Sequence, residues 1–309
     1  MEESPPWSEC FVNAPKQASR RSGLWVPVAE ESSLLNLAEQ TYEKWRENSG
    51  AQEAHHKDEE EDLLLLSLDG ISSACIPHII HLIWFGDISR LTAEQKRCIG
   101  SWKVFNADWT IKIWEEPEIR SKFQEWGMSS RVFDSCPNAG EKSDIARYHI
   151  LSRVGGVYAD VDVECLNAIP ESLLINYGLV AGLANVGATF EIANSWIACV
   201  PNHPIMSHLA TACLARDAEL ARLLEHNASN MSCQTIARTG PGLFTRVWAK
   251  HVMRARKDWI LLPPSFLYPA PNDVALSSTA KEANADDFRR PESFAIHWWH
   301  KSWLKSTCT

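Results

Sequence analysis

The clearest alternation of apolar and polar positions lies at residues 143–166, SDIARYHILSRVGGVYADVDVECL. Ile145, Tyr148, Ile150, Leu151 and Val154 recur at helical spacing and predict a helix over 138–153, its regular part starting at Ser143 and Asp144. Gly155-Gly156 ends that helix, and a short apolar strand, Val157–Val163, follows at once. Upstream, IPHIIHLIWFG at 76–86 is a continuous apolar run that reads as a buried parallel strand. Residues 92–106 suit a helix, 109–114 alternate as a second strand, and 117–126 begin a helix with Pro117 in its first turn. Downstream, the pattern predicts a strand at Leu179–Leu183, a helix from His203 to Glu225 and another from Thr239 to about Arg256. Ile260–Leu262 and a last loop and strand close the chain. This β-α-β-α order predicts an α/β fold, a mostly parallel central sheet flanked by helices.

The first 75 residues read differently. Residues 1–29 are Pro-rich and irregular, 30–47 have helical spacing through Leu34, Leu37, Tyr42 and Trp45, and 48–62 form a solvated polar linker holding His55 and His56. The net charge of −9 belongs to this segment, since residues 1–75 hold 15 acidic and 6 basic side chains and the rest holds 24 of each. The expected organisation is therefore an acidic N-terminal extension over 1–75, helical and irregular, and one main domain over 76–309. A main domain without a basic field argues against nucleic acid as a partner.

The nine cysteines are scattered without a CxxC pair, which suits reduced thiols or small buried hydrophobes. No apolar run approaches the roughly 18 residues of a membrane span. The acidic start, MEESPPWSEC, is no signal peptide. The chain as given is expected in the cytoplasm, or in the Golgi lumen if an anchor has been removed. The sequons at Asn227 and Asn230 matter only in the second case.

Candidate chemistry concentrates in the opening stretch. Asp160 and Asp162, at i and i+2 of the expected strand, would share one face and could grip one divalent cation. Asp144 and Arg147, three apart, share one helix face; spacing alone would make them an intra-helix ion pair. The C-terminal run HWWHKSW adds His297 as a metal ligand candidate, with Ser302 and Trp303 as contacts for diphosphate oxygens.

Six segments together carry a family resemblance: 76–86, 101–114, 143–166, 192–206 (IANSWIACVPNHPIM), TGP at 239–241, and AIHWWHKSW at 295–303. In that order they resemble the DxD-containing glycosyltransferase family 32, which includes yeast-type initiating α-1,6-mannosyltransferases and bacterial capsular sugar transferases. More distantly, they are similar to the glucosyltransferase domains of clostridial toxins. The resemblance implies a GT-A fold for 76–309, a UDP- or GDP-hexose donor, Mn²⁺ or Mg²⁺, and retention of anomeric configuration. It implies that Ile83 and Trp84 line the nucleobase pocket, and that Asp144, Arg147 and Tyr158 hold the donor. Asp160 would touch ribose or sugar hydroxyls and help order the ion, Asp162 would ligate it, and His297 would lie near it. Related chains often end His-His-Trp; this one reads His297-Trp298-Trp299-His300, so either histidine is a candidate for the ion. The acceptor could be a glycan, a lipid or a protein. A nucleotide-sugar hydrolase or phosphohydrolase using the same carboxylates, and an inactive glycan-binding module, stay open as alternatives.

Overall fold

The computed structural model describes residues 75–186, 189–215, 231–252, 258–272 and 284–300. All of them belong to the unit Leu68–Thr309. The expected N-terminal helix, the linker with His55 and His56, the sequon asparagines Asn227 and Asn230, Ser302 and Trp303 lie outside the described residues.

A six-stranded sheet carries the site. Its strands are β1 (Ile79–Ile83), β2 (Thr110–Trp114), β3 (Gly156–Ala159), β5 (Leu179–Val186), β6 (Thr189–Cys199) and β7 (Trp259–Leu262), in the order β2-β1-β3-β6-β5-β7. β1 runs parallel to β2 and β3, and β5 runs parallel to β7. Only β6 is reversed, antiparallel to both β3 and β5. A second sheet pairs β4 (Val163–Cys165) with β8 (Ala295–His297). The expected mostly parallel α/β architecture is thus the observed one.

The core has two layers because the strands alternate side chains between two apolar faces. Ile83, Tyr158, Leu179, Ile197 and Cys199 face one cluster, filled from the helices by Phe123, Ile145, Leu151, Met206 and Phe244. Leu82, Val157, Ala159, Val180, Trp196 and Ala198 face the other, closed by Trp102, Leu262 and Phe294. Helix α1 (Ala93–Phe105) supplies Trp102 and starts at a capping box between Thr92 and Gln95. Helix α2 (Glu116–Glu125) follows β2, with Pro at the start of its first turn.

Two sequence expectations change. Of the helix expected over 203–225, residues 216–225 lie outside the described residues; the described part is α4 (Pro204–Ala212), followed by i→i+3 bonds from Leu214 to Thr211 and Ala215 to Ala212. Neither Gly nor Pro marks that stop, so the apolar period reads through it. Strand β6 was not expected at all. Asn194-Ser195 interrupts its period-2 pattern, and the pairing with β5 jumps there from Ala181–Ile197 to Gly182–Ala193.

Helix α3 (Ala139–Val154) is the expected central helix, capped by the Asn138 side chain, which accepts from the Glu141 N–H at 2.9 Å. Its exit is tightly constrained. Gly155 has φ 69° and Gly156 φ 94°, and a Cβ on Gly155 would lie 2.6 Å from the Pro201 ring. A Cβ on Gly156 would lie 2.7 Å from the Ile79 carbonyl. Buried His81 bonds through Nε2 to the Gly155 carbonyl at 2.9 Å and accepts from Trp114 Nε1 at 3.0 Å. Burial lowers this imidazole to about 4, so it stays neutral. Gly155→Ala should therefore cost about 1–3 kcal/mol, read as a lower urea midpoint. An unchanged midpoint would show that the turn is not constrained as described.

Candidate active site

The paired aspartates are delivered by a turn, not by a strand. β3 stops at Ala159, and Asp160-Val161-Asp162 reverses through a Val163 N–H to Asp160 carbonyl bond of 3.0 Å. The Asp160 N–H still donates to the Ser195 carbonyl at 2.8 Å, the last bond in register with the β3–β6 pairing, and the turn then takes the chain out of the main sheet. The chain then leaves for the second sheet as β4. The expected shared strand face is corrected accordingly: both carboxylates reach one place through turn geometry. Val161, between them, is half-buried, packs against the core and also lines the cavity.

Arg147 links the helix to this turn. Its NH2 lies 3.2 Å from both Asp144 Oδ1 and Asp160 Oδ1, and its NH1 donates to the Asn194 carbonyl at 2.6 Å. The guanidinium lies 4.4 Å from the centre of the Tyr158 ring, whose hydroxyl donates to Asp160 Oδ1 at 2.6 Å. Arg147 and Asp144 are only 4% and 5% exposed, so this is a buried ion pair rather than a surface one. Asp144 also accepts from Asn194 Nδ2 at 2.8 Å and from the Thr239 hydroxyl at 2.7 Å. Burial pushes its carboxyl up to about 6 against the pull of Arg147, Thr239 and Asn194.

His297 arrives by strand pairing. β8 runs antiparallel to β4 with His297 opposite Val163, which sets its ring beside Asp162, with Nε2 3.3 Å from Oδ1. The other ring nitrogen, Nδ1, lies 3.4 Å from the Ser195 hydroxyl. Asp162 Oδ2 accepts the His300 backbone N–H at 2.8 Å, and the Asp162 carbonyl accepts from Trp298 N–H at 3.0 Å. Burial alone would raise the Asp162 carboxyl, but the adjoining His297, with His300, holds it well below the usual range. Desolvation and the Asp162 charge raise Asp160, against the pull of Arg147. Donor atoms of Asp160, Asp162 and His297 all lie within 4.8 Å of one another. Two carboxylates and an imidazole held from its far nitrogen are a fitting donor set for Mn²⁺ or Mg²⁺. His300 reaches this cluster with its backbone, which favours His297 as the side-chain ligand.

A cavity of about 400 Å³ joins these groups. Ile83, Trp84, Asp144, Arg147, Tyr158, Asp160, Asp162 and His297, all singled out from sequence, line it together. Trp84 anchors its indole N–H on the Asp87 carbonyl at 3.2 Å.

Residues 92–179 match a family described as "Glycosyltransferase sugar-binding region containing DXD motif". Within that stretch, Asp160-Val161-Asp162 supplies the DXD sequence of the family description. Inositol phosphoceramide mannosyltransferase 1 of Schizosaccharomyces pombe is 29% identical over 137 residues, 42% of this chain and 40% of the relative. Subversion of eukaryotic traffic protein A of Legionella pneumophila is 26% identical over 196 residues, 53% of this chain and 30% of the relative. The chain thus spans less than half the length of these two curated relatives. Among solved structures, the catalytic domain of alpha-toxin from Clostridium novyi is similar at TM-score 0.46 and 11% identity, covering 100% of this chain and 95% of that one.

The matched stretch holds Asp144, Arg147, Tyr158, Asp160 and Asp162, but not Asn194, Ser195, Thr239 or His297, which also brace the site. Asn194 and Ser195 come from β6, where the irregular pairing with β5 turns them toward the DXD turn. Thr239 comes from the turn before helix α5 (Pro241–Val252), and its carbonyl accepts the Tyr148 hydroxyl at 2.8 Å. Asn194, Ser195 and Thr239 were visible only as parts of the matching segments IANSW and TGP; no spacing rule assigned them roles. Tyr268 was missed entirely: it packs where a Cβ on Gly182 would lie 2.7 Å from its ring, and its hydroxyl accepts from Ser195 at 3.2 Å.

Asp144 has a folded value of about 6 against 3.8 for the ordinary group. The folded chain therefore binds the extra proton between those values, and the stability this group contributes falls as pH rises through that window. Asp144→Asn removes the titration. The Tm of the unmodified chain minus that of the variant should fall as pH rises from about 4 to about 6. A gap independent of pH contradicts the assignment.

Proposed function

We propose that this chain moves a hexose from a nucleotide-diphosphate sugar to an acceptor hydroxyl, with Mn²⁺ or Mg²⁺ held by Asp160, Asp162 and His297. One observation carries the reading: this three-donor cluster shares a cavity with the buried Asp144–Arg147 pair, inside a DXD region. A bound divalent ion supplies Lewis-acid stabilisation of the diphosphate leaving group. The chain's own residues do the rest. Ser195 orients His297 from Nδ1, leaving Nε2 toward Asp162. The His300 N–H fixes one Asp162 oxygen and so aims the other.

Arg147 fixes the carboxylates of Asp144 and Asp160 at once. Asp144, braced by Asn194 and Thr239, is a rigid acceptor for donor-sugar hydroxyls. Asp160 is the more exposed of the two partners of Arg147 and offers its carboxylate to ribose or sugar hydroxyls as well as to the ion. Ile83 and Trp84 offer an apolar wall for a uracil or guanine base. Ser302 and Trp303 remain candidates for the diphosphate. Retention of anomeric configuration is taken from the family resemblance. The relatives named as inositol phosphoceramide mannosyltransferases support a hexosyl group as the one transferred, and a lipid beside glycans and proteins as an acceptor class.

Incubation with UDP-glucose, UDP-galactose, UDP-N-acetylglucosamine and GDP-mannose, with and without Mn²⁺, tests the reading. One donor should turn over only with metal, and Asp162→Asn should reduce that turnover at least roughly 100-fold, the loss of several kcal/mol, with an unchanged circular dichroism spectrum. Turnover of the variant at the unmodified rate, or none by the unmodified chain, overturns the reading.

A further inference from the structure

Strand β6 reaches past the rest of the site. Trp196 pairs with Ala159, the last residue of β3, so Thr189–Ser195 runs beyond the carboxyl end of that strand. Gly182–Val186 of β5 pairs along this stretch and makes it a two-stranded arm beside the cavity. Glu191 lies on the arm five positions beyond Trp196, up to about 16 Å outward at strand rise.

Glu191 is half-buried and lines the same cavity as the DXD turn. The three aspartates lining that cavity are all engaged. Asp144 is held by Thr239, Asn194 and Arg147, Asp160 by Tyr158 and Arg147, and Asp162 by His297 and His300. The Glu191 side chain has no hydrogen bond or ion pair among the described residues. Burial lifts its carboxyl above the ordinary value with no cation to oppose the shift. Such a group gains from a hydroxyl brought to it, since a carboxylate accepts strongly and is costly to leave unpaired. The strand holding it is firmly placed: Ile192 is in the core, and its N–H donates to the Thr245 hydroxyl at 3.1 Å.

We infer that the β5–β6 arm is an acceptor subsite in which Glu191 binds hydroxyls of a polyhydroxylated acceptor, a sugar or a cyclitol. The inference rests on the transferase reading above. It separates two sides of one cavity, a donor side at the DXD turn and an acceptor side along the arm. Glu191 binds and orients the acceptor; the donor is held without it.

Glu191→Ala and Glu191→Gln, checked for unchanged Tm, test the assignment. The probes are methyl α-mannoside, methyl β-glucoside and myo-inositol, with Mn²⁺ and the donor that the unmodified chain hydrolyses. Donor hydrolysis should stay within about twofold in both variants, while KM for the acceptor rises about tenfold in Glu191→Ala and less in Glu191→Gln. An unchanged acceptor KM overturns the inference, as does a parallel fall of hydrolysis and transfer. Donor hydrolysis by the unmodified chain without transfer to any probe overturns the polyol assignment alone. No donor turnover at all overturns the transferase reading and this inference with it.

Discussion

A single buried guanidinium holds the site together. Arg147 touches α3, the DXD turn and the irregular stretch of β6 at the same time, through Asp144, Asp160 and the Asn194 carbonyl. In a low-dielectric setting, two carboxylates so close together would repel and take up protons. The cation between them lets both approach the ionised state. Removing one partner from such a network typically costs about 3–5 kcal/mol, because a buried charge is left unpaired. That cost is set by desolvation, so it buys little net stability while the network is intact. Its consequence is geometric: helix, turn and strand cannot shift independently.

The scaffold around Arg147 removes the remaining freedom. Neutral His81 ties the Gly155 carbonyl to Trp114, and Gly156 lets β3 lie against β1. On the other side, the β4–β8 pairing carries His297 to Asp162. The second sheet also delivers the His300 and Trp298 N–H groups to Asp162. Residues more than a hundred positions apart thus converge because two small strands share a register. The result is a cluster of acidic and imidazole donors fixed from behind, which is the condition for binding an ion without reorganisation.

The parallel strands, the central helix, the Asp160/Asp162 pair and the Asp144/Arg147 spacing were legible in the sequence because their signals are local. Apolar period, Gly155-Gly156 and an i, i+3 spacing need no partner to be read. Asn194, Ser195, Thr239 and Tyr268 were not legible, since each acts through a contact with a residue distant in sequence. The irregular register that delivers Asn194 also hid β6, because polar residues in mid-strand erase the alternation that would reveal it. The placement of Asp160 and Asp162 was right and its geometry wrong. A strand ending at Ala159 and a strand running to Val163 look alike in sequence, and the turn closed by the Val163 N–H on the Asp160 carbonyl separates them. His297 was legible as a candidate ligand, while only its pairing with Val163 separates it from His300.

The central claim is that Asp160, Asp162 and His297 form one cation site beside the Arg147 network. The most direct measurement is a Mn²⁺ titration followed by electron paramagnetic resonance, in the presence of UDP or GDP, on the unmodified chain and on His297→Ala. The account predicts one saturable Mn²⁺ site whose affinity falls about 10–100-fold in the variant. Equal affinity in the two chains, or no Mn²⁺ binding with either nucleotide, would contradict it.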